Sequence, residues 1–274
     1  MQFDCIEQDL SFYSDATHAA QSDIRISLPP KQLLSIVLES FLKDPDYTTD
    51  IFHHQLVYHA MDRVYKDPSS PNAESWALCF NLIVLLSLGK EHPLDCQDPF
   101  VRPMLQAVQS AVRNWRLLME PRLINIQTLS LYAALAEQGY TNEALGGSFM
   151  AQACVLAREA GLQQTFFDGA VSSCLSVSEM DEWRKVYQSL YIRDRYSMIA
   201  SGSLISLEGA TAGVTHVSDH PAHWELAKIQ DKVHKALSLN GISHSERRNI
   251  HCATFAVCRH SHAPSDGKYG FSPR

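Results

Sequence analysis

The chain lacks the features that would send it out of the cell or into a bilayer. Its first residues, MQFDCIEQDLSFYSD, put acidic side chains where a secretory leader needs a basic start and an apolar stretch. No uninterrupted apolar run approaches the roughly 18 residues of a membrane-spanning helix. Excess positive charge is missing too. Against 30 Asp and Glu stand 23 Lys and Arg, a formal net charge of -7, so the chain as a whole offers no footprint for a phosphate backbone, and direct DNA binding is not expected of it. The seven cysteines (Cys5, Cys79, Cys96, Cys154, Cys174, Cys252, Cys258) are odd in number and mostly scattered, which suits buried, reduced thiols better than a disulfide framework. A soluble, intracellular protein with no membrane partner is expected.

Catalytic signatures are equally sparse. There is no Gly-x-Ser-x-Gly elbow, no phosphate-cradling glycine loop, no His-Glu-x-x-His and no paired acidic motif of the Asp-Asp-x-x-Asp kind. The chain is therefore expected not to be an enzyme, an all-α catalyst with an unfamiliar site being the enzymatic alternative. No β-alternating run of useful length and no repeat period emerge, which points to an all-α, irregular multi-helix bundle of about eight helices and not a regular solenoid.

What is present is a succession of helical stripes punctuated by Pro, Gly and Asp. After a polar, aperiodic stretch at 1–27, read as a mobile extension, Pro29 and Pro30 open a helix with Leu33, Leu34, Val37, Leu38, Phe41 and Leu42 on one side, stopped by Asp44-Pro45-Asp46. Asp50 is the expected N-cap of a second helix carrying Phe52, Leu56, Ala60 and Val64. Asn72 is expected to cap a third, AESWALCFNLIVLLSL, with Gly89 as its left-handed terminator; apolar nearly all round, it belongs at the centre. A fourth follows Asp98-Pro99 with Phe100, Met104, Leu105, Val108, Val112 and Trp115, and a fifth runs from beyond Pro121 through Ile124, Leu129, Leu131 and Leu135 to Gly139.

The sixth, beginning at Asn142, contains Gly146-Gly147, a pair that costs on the order of 1 kcal/mol each against alanine unless another helix packs closely there. The seventh, with Ser178 as N-cap, places Trp183, Val186, Tyr187, Leu190 and Tyr191 along one face and polar side chains on the other. After a longer loop at 203–222, an eighth from about His223 to Leu239 carries Leu226, Ile229, Val233 and Leu237.

Three of these segments resemble the middle homology region of fungal transcription factors, the regulatory domain usually found downstream of a six-cysteine zinc cluster. WALCFNLIVLLSLG is similar to that family's early apolar helix. Ile126-Gln127-Thr128-Leu129, then Tyr132, then AQACVLAREAGL ending in Gly161-Leu162 look like its Val-Gln-x-Leu motif and Ala-x-x-x-Ala-x-x-x-Gly-Leu helix. Ser189-Leu190-Tyr191-Ile192-Arg193-Asp194-Arg195 resembles its Ser-Leu-Tyr-x-x-Asp-Arg signature, and Gly202 stands where a Gly-Arg-Pro turn is expected. The resemblance runs from about Leu28, with LPPKQLL similar to the domain entry, to about Leu239, so the helical regulatory domain is assigned to 28–240. Departures are Val155 for the arginine of Arg-Met-Ala, Gln163 for the histidine after Gly-Leu, and Ser203-Leu204 for Arg-Pro.

The first 27 residues contain one cysteine, so zinc is expected only in the DNA-binding segment of full-length relatives, not here. Residues 241–274 resemble nothing in the family and read as a His/Cys-rich, frayed tail ending a truncated or divergent domain. Its His244, His251, Cys252, Cys258, His260 and His262 are zinc-ligand types, but His251 and Cys252 are adjacent and no Cys-x-x-Cys knuckle accompanies them, so His251, Cys252, Cys258 and His260 remain weak metal candidates. His53, His54 and His59 do not have the i, i+4 spacing that aims two rings at one metal, and solvated or interfacial positions are expected for them.

Asp194, between Arg193 and Arg195, is expected in a structural ion pair with an arginine of its own or a neighbouring helix, with Tyr187, Leu190 and Tyr191 in the core. The resemblance implies a regulatory domain that works in the nucleus through protein contacts, one partner being a full-length zinc-cluster regulator, and that holds a small-molecule effector between helices. A stand-alone helical accessory protein and a non-functional fragment are the alternatives.

Overall fold

A computed structural model describes residues 26–113, 115–139, 143–163, 175–201, 206–207 and 220–239. The expected extension up to residue 25, the tail, Gly202, and most of the 203–222 loop lie outside these residues; the end of the extension, Ile26 and Ser27, packs on the body, with the Ser27 carbonyl accepting from Asn81 Nδ2 at 2.8 Å. Within them are eight α-helices, one 3-10 turn and no strand: α1 (Lys31–Lys43), α2 (His54–Lys66), α3 (Ala73–Glu91), α4 (Val101–Arg113), the 3-10 turn Trp115–Leu118, α5 (Leu123–Glu137), α6 (Glu143–Glu159), α7 (Val177–Ser201) and α8 (Pro221–Leu239). The fold is all-α.

The core forms around two helices. α3 is buried without a break from Ser75 to Leu86, as its all-round apolarity predicts, and α1, α2, α4 and α5 pack on it. By length and composition Ala73–Lys90 could also cross a membrane; here neighbouring helices bury most of it. The second central helix is α5, buried from Ile124 to Ala136. Its polar residues are paired inside: Asn125 Nδ2 donates to the carbonyls of Leu117 and Glu120, at 3.3 and 3.0 Å, and Thr128 Oγ to that of Ile124 at 2.7 Å. Tyr132, whose hydroxyl donates to the Val108 carbonyl at 2.7 Å, ties α5 to α4.

Several local expectations are corrected. Asp50 is not an N-cap: α2 begins at His54, and the Asp50 carboxylate accepts from Lys185 Nζ at 2.6 Å. The inward stripe of α2 is Val57, Ala60, Met61 and Val64, with Leu56 only partly buried. Asn72 occupies the N-cap position of α3 in a left-handed conformation, φ 67°, but its side-chain oxygen accepts from Arg122 and caps nothing. Gly89 stays helical, and α3 runs on to Glu91.

Asp98 caps α4 through the amides of Phe100 and Val101, leaving Phe100 68 % exposed, outside the stripe of Val101, Met104, Leu105 and Val108. Ser176, not Ser178, caps α7. Its Oγ accepts from the Glu179 amide at 3.3 Å while Glu179 Oε2 accepts from the Ser176 amide at 2.8 Å, a reciprocal capping box.

The two glycines of α6 do different things. A Cβ on Gly146 would stand 2.6 Å from the Cβ of Ala136, so α6 and α5 touch there as closely as backbones allow, whereas a Cβ on Gly147 would meet nothing within 4 Å. The close contact expected of the pair belongs to Gly146 alone. Gly161 ends the region of α6 at φ 70°, the left-handed terminator that a side chain would strain, and delivers the fully buried Leu162.

Candidate functional site

The polar side of α7 is the structurally informative surface, and it is inside the protein. Every residue from Val186 to Arg195 is buried. Polar residues recurring at three- and four-residue spacing would ordinarily mark a solvated face. Here Glu182, Lys185 and Ser189 reach the α1–α2 connection in antiparallel order. Glu182 Oε1 accepts the His53 amide at 3.1 Å, Lys185 donates to Asp50, and Ser189 Oγ donates to the Tyr47 carbonyl at 2.7 Å. From α5, Gln127 Nε2 donates to the Ile51 carbonyl at 2.7 Å. The connection buries Thr48 to Phe52; the amides of Thr49, Asp50 and Ile51 turn back onto carbonyls of the connection itself, and side chains of α5 and α7 satisfy the Tyr47 and Ile51 carbonyls and the His53 amide. Burial pushes the Glu182 carboxyl up to about 7 from 4.5, opposed by the His53 amide and the Gln127 side chain.

One turn further along, Arg193 crosses to α5, where Nη1 donates to the Ser130 carbonyl at 2.9 Å and to Ser130 Oγ at 2.8 Å, and Nη2 to Glu137 at 2.8 Å. Arg195, fully buried, is the hub of the far end. It pairs with Asp194 Oδ2 at 2.5 Å and Asp231 of α8 at 3.0 Å, and donates to the Leu207 carbonyl at 2.8 Å. Asp194 in turn accepts the amides of Ser206 and Leu207, at 3.1 Å each. The Arg195 guanidinium lies 4.3 Å from the Tyr191 ring centroid, and that ring packs on Trp224 at 5.0 Å. Tyr196 completes the attachment of α8 through a 2.7 Å bond to His223 Nδ1.

The expected site residues divide accordingly. Ser189, Leu190, Tyr191, Asp194 and Arg195 share α7, with Leu190 and Tyr191 fully buried, and the expected Asp194–Arg195 pair is present. Gln127 joins the same polar seam from α5, and Leu129 is core. Gly161 and Leu162 form the separate terminator of α6. Gly202, His251, Cys252, Cys258 and His260 lie outside the described residues. Sequence reasoning missed Glu137, Glu182, Lys185, Trp224 and Asp231 and took Asp50 for an N-cap; the only sequence signal for Glu182 and Lys185 is their helical register with Ser189.

These groups are aimed at one another and at backbone, so the seam's chemistry is that of an internal tie. Among the described residues no three His, Cys, Asp or Glu side chains are placed to hold a metal. The thiols of Cys79 and Cys154 are buried and their pKa values pushed up by that burial. An open depression of about 350 Å³ on α2 is lined by His54, Gln55, Tyr58, His59 and Asp62.

Proteins similar to this chain are named as transcription factors. One, from Penicillium herquei and named "Putative transcription factor phnE", is 48% identical over 271 residues, covering 89% of this chain and 33% of its own length. Another, transcription factor oryO of Aspergillus oryzae, is 24% identical over 198 residues, covering 65% of this chain and 24% of its own. The chain thus spans a third or less of the curated relatives it matches. No family model matches it, and no solved structure matches at a significant level.

Proposed function

We propose that this chain is the regulatory and interaction region of a fungal transcription factor, of the middle homology type, acting in the nucleus. The observation that carries this is the 48% identity, over 89% of the chain, to a protein named as a transcription factor. The all-α body agrees with it. The mechanism is positional. The helical body receives a partner or a small-molecule effector and passes the change to a DNA-binding segment.

The test is association in the organism's own nuclei. Tagged chain is expected to co-purify with a zinc-cluster regulator and to alter expression from that regulator's promoters, and a strictly cytosolic, partnerless chain with no transcriptional effect would refute the proposal. An effector would announce itself as a ligand-dependent rise in unfolding temperature, since binding only the folded state stabilises it.

A further inference from the structure

α8 sits the opposite way round from its sequence pattern. The expected inward stripe was Leu226, Ile229, Val233 and Leu237. Instead Trp224, Ala227, Gln230 and Asp231 face the body, each 5 % exposed or less, while Ile229 is 54 % exposed and Leu226 and Val233 are only partly buried; the Leu237 side chain is outside those described. Burying Ile229 would require rolling α8 by roughly half a turn. That roll is opposed by three contacts at known places: Arg195–Asp231 at 3.0 Å, Tyr196–His223 at 2.7 Å and Tyr191–Trp224 at 5.0 Å. A buried charge pair specifies geometry because misalignment leaves a charge unpaired. The polar hub of α7 thus holds an apolar stripe outward.

Along one border of that stripe runs a row of lysines at helical spacing, Lys228, Lys232 and Lys235, on a chain whose formal net charge is -7. Lys228 pairs with the exposed Glu225 at 2.6 Å and Lys235 with Asp231 at 2.7 Å, while Lys232 has no ion pair among the described residues. Surface pairs of the first kind are weak and exchangeable. We propose that this face, Leu226, Ile229 and Val233 edged by the lysine row, docks an acidic amphipathic helix of a partner protein. The apolar residues at i, i+3 and i+7 meet the partner's apolar stripe, and its carboxylates meet the lysines. A second copy of this chain would bring its own lysine row to the same seam. A membrane surface would call for an interfacial aromatic on the outer face, and Trp224 points inward.

This deepens the protein-contact reading above and rests on it only in taking the chain to act through partners. The test uses the full chain and a fluorescently labelled helical peptide of about 20 residues, long enough to hold helix on docking, with Leu at i, i+3 and i+7 and Glu between. Its counterpart carries Lys in place of Glu. Binding followed by anisotropy is expected to favour the acidic peptide by at least about tenfold, to weaken as salt rises, and to lose at least about tenfold with Ile229→Glu and about threefold with Lys232→Glu. Both variants should keep the parent's unfolding midpoint, because neither side chain is in the core.

Undetectable binding, equal binding of the basic peptide, or indifference to Ile229→Glu would overturn the proposal. So would a dimer of this chain that Ile229→Glu dissolves, or capture of anionic phospholipid vesicles through the same residues. Peptide binding without any transcriptional effect would leave this surface standing and remove the regulatory reading; a transcriptional effect without peptide binding would do the reverse.

Discussion

Two adjacent glycines should respond differently to the same substitution. In a helix interior, Gly→Ala gains roughly 0.8–1 kcal/mol from propensity and unfolded-state entropy, wherever the added methyl has room. At Gly147 nothing lies within 4 Å of a built Cβ, so Gly147→Ala should stabilise by about that amount. At Gly146 the built Cβ falls 2.6 Å from Ala136 Cβ, roughly 1 Å inside ordinary contact, and an alanine methyl cannot swing aside. The α5–α6 spacing has to widen at the contact, which costs about 1–3 kcal/mol as overpacking does elsewhere and outweighs the propensity gain at the upper end.

The two variants should therefore differ by about 1–3 kcal/mol, or several degrees in unfolding midpoint at roughly 2–4 °C per kcal/mol for a domain of this size. Chemical denaturation of the full chain followed by helical circular dichroism measures the difference. Replacing Ala136 with Gly in the Gly146→Ala background should recover part of the loss, giving a coupling of opposite sign to the single substitution. Equal stabilisation by Gly146→Ala and Gly147→Ala would refute the close α5–α6 contact.

Three further outcomes follow from α7. Arg195→Met should cost about 3 kcal/mol, the low end for breaking a buried charge pair because Asp194 and Asp231 keep other partners, and hydrogen exchange should show α8 losing protection before α3 and α5; unchanged α8 protection would count against the hub. Glu182, whose folded-state pKa is raised from 4.5 to about 7, favours the fold when protonated, so its contribution is full below pH 4.5 and is lost as pH rises through 7. Glu182→Gln should then remove a pH dependence of order 3 kcal/mol between pH 4 and 8, measured as the difference between parent and variant in urea midpoints. Leu190→Asp should abolish cooperative unfolding by burying an unpaired charge, and a folded variant deficient only in partner binding would put that face on the wrong side of α7.

Helix number, the all-α class and the central place of α3 were legible in the sequence, because apolar periodicity and Pro, Gly and Asp punctuation act over a few residues. The signature around Ser189–Arg195 was legible as a core helix with an internal ion pair. Its polar side was not. A polar residue in a helix reads as solvated until its partner is known, and Lys185 finds Asp50 135 positions away while Gln127 finds Ile51 at 76. The same limit hid α5 as a second central helix, since Asn125, Thr128 and Ser130 lower its apparent apolarity although each finds a hydrogen-bond partner inside.

In α8 the apolar pattern pointed one way and the Arg195–Asp231 bond the other. Local sequence determines that a helix forms and which stripe is apolar. Only the tertiary structure decides how the helix is rolled, because a buried charge without its partner costs more than one exposed isoleucine.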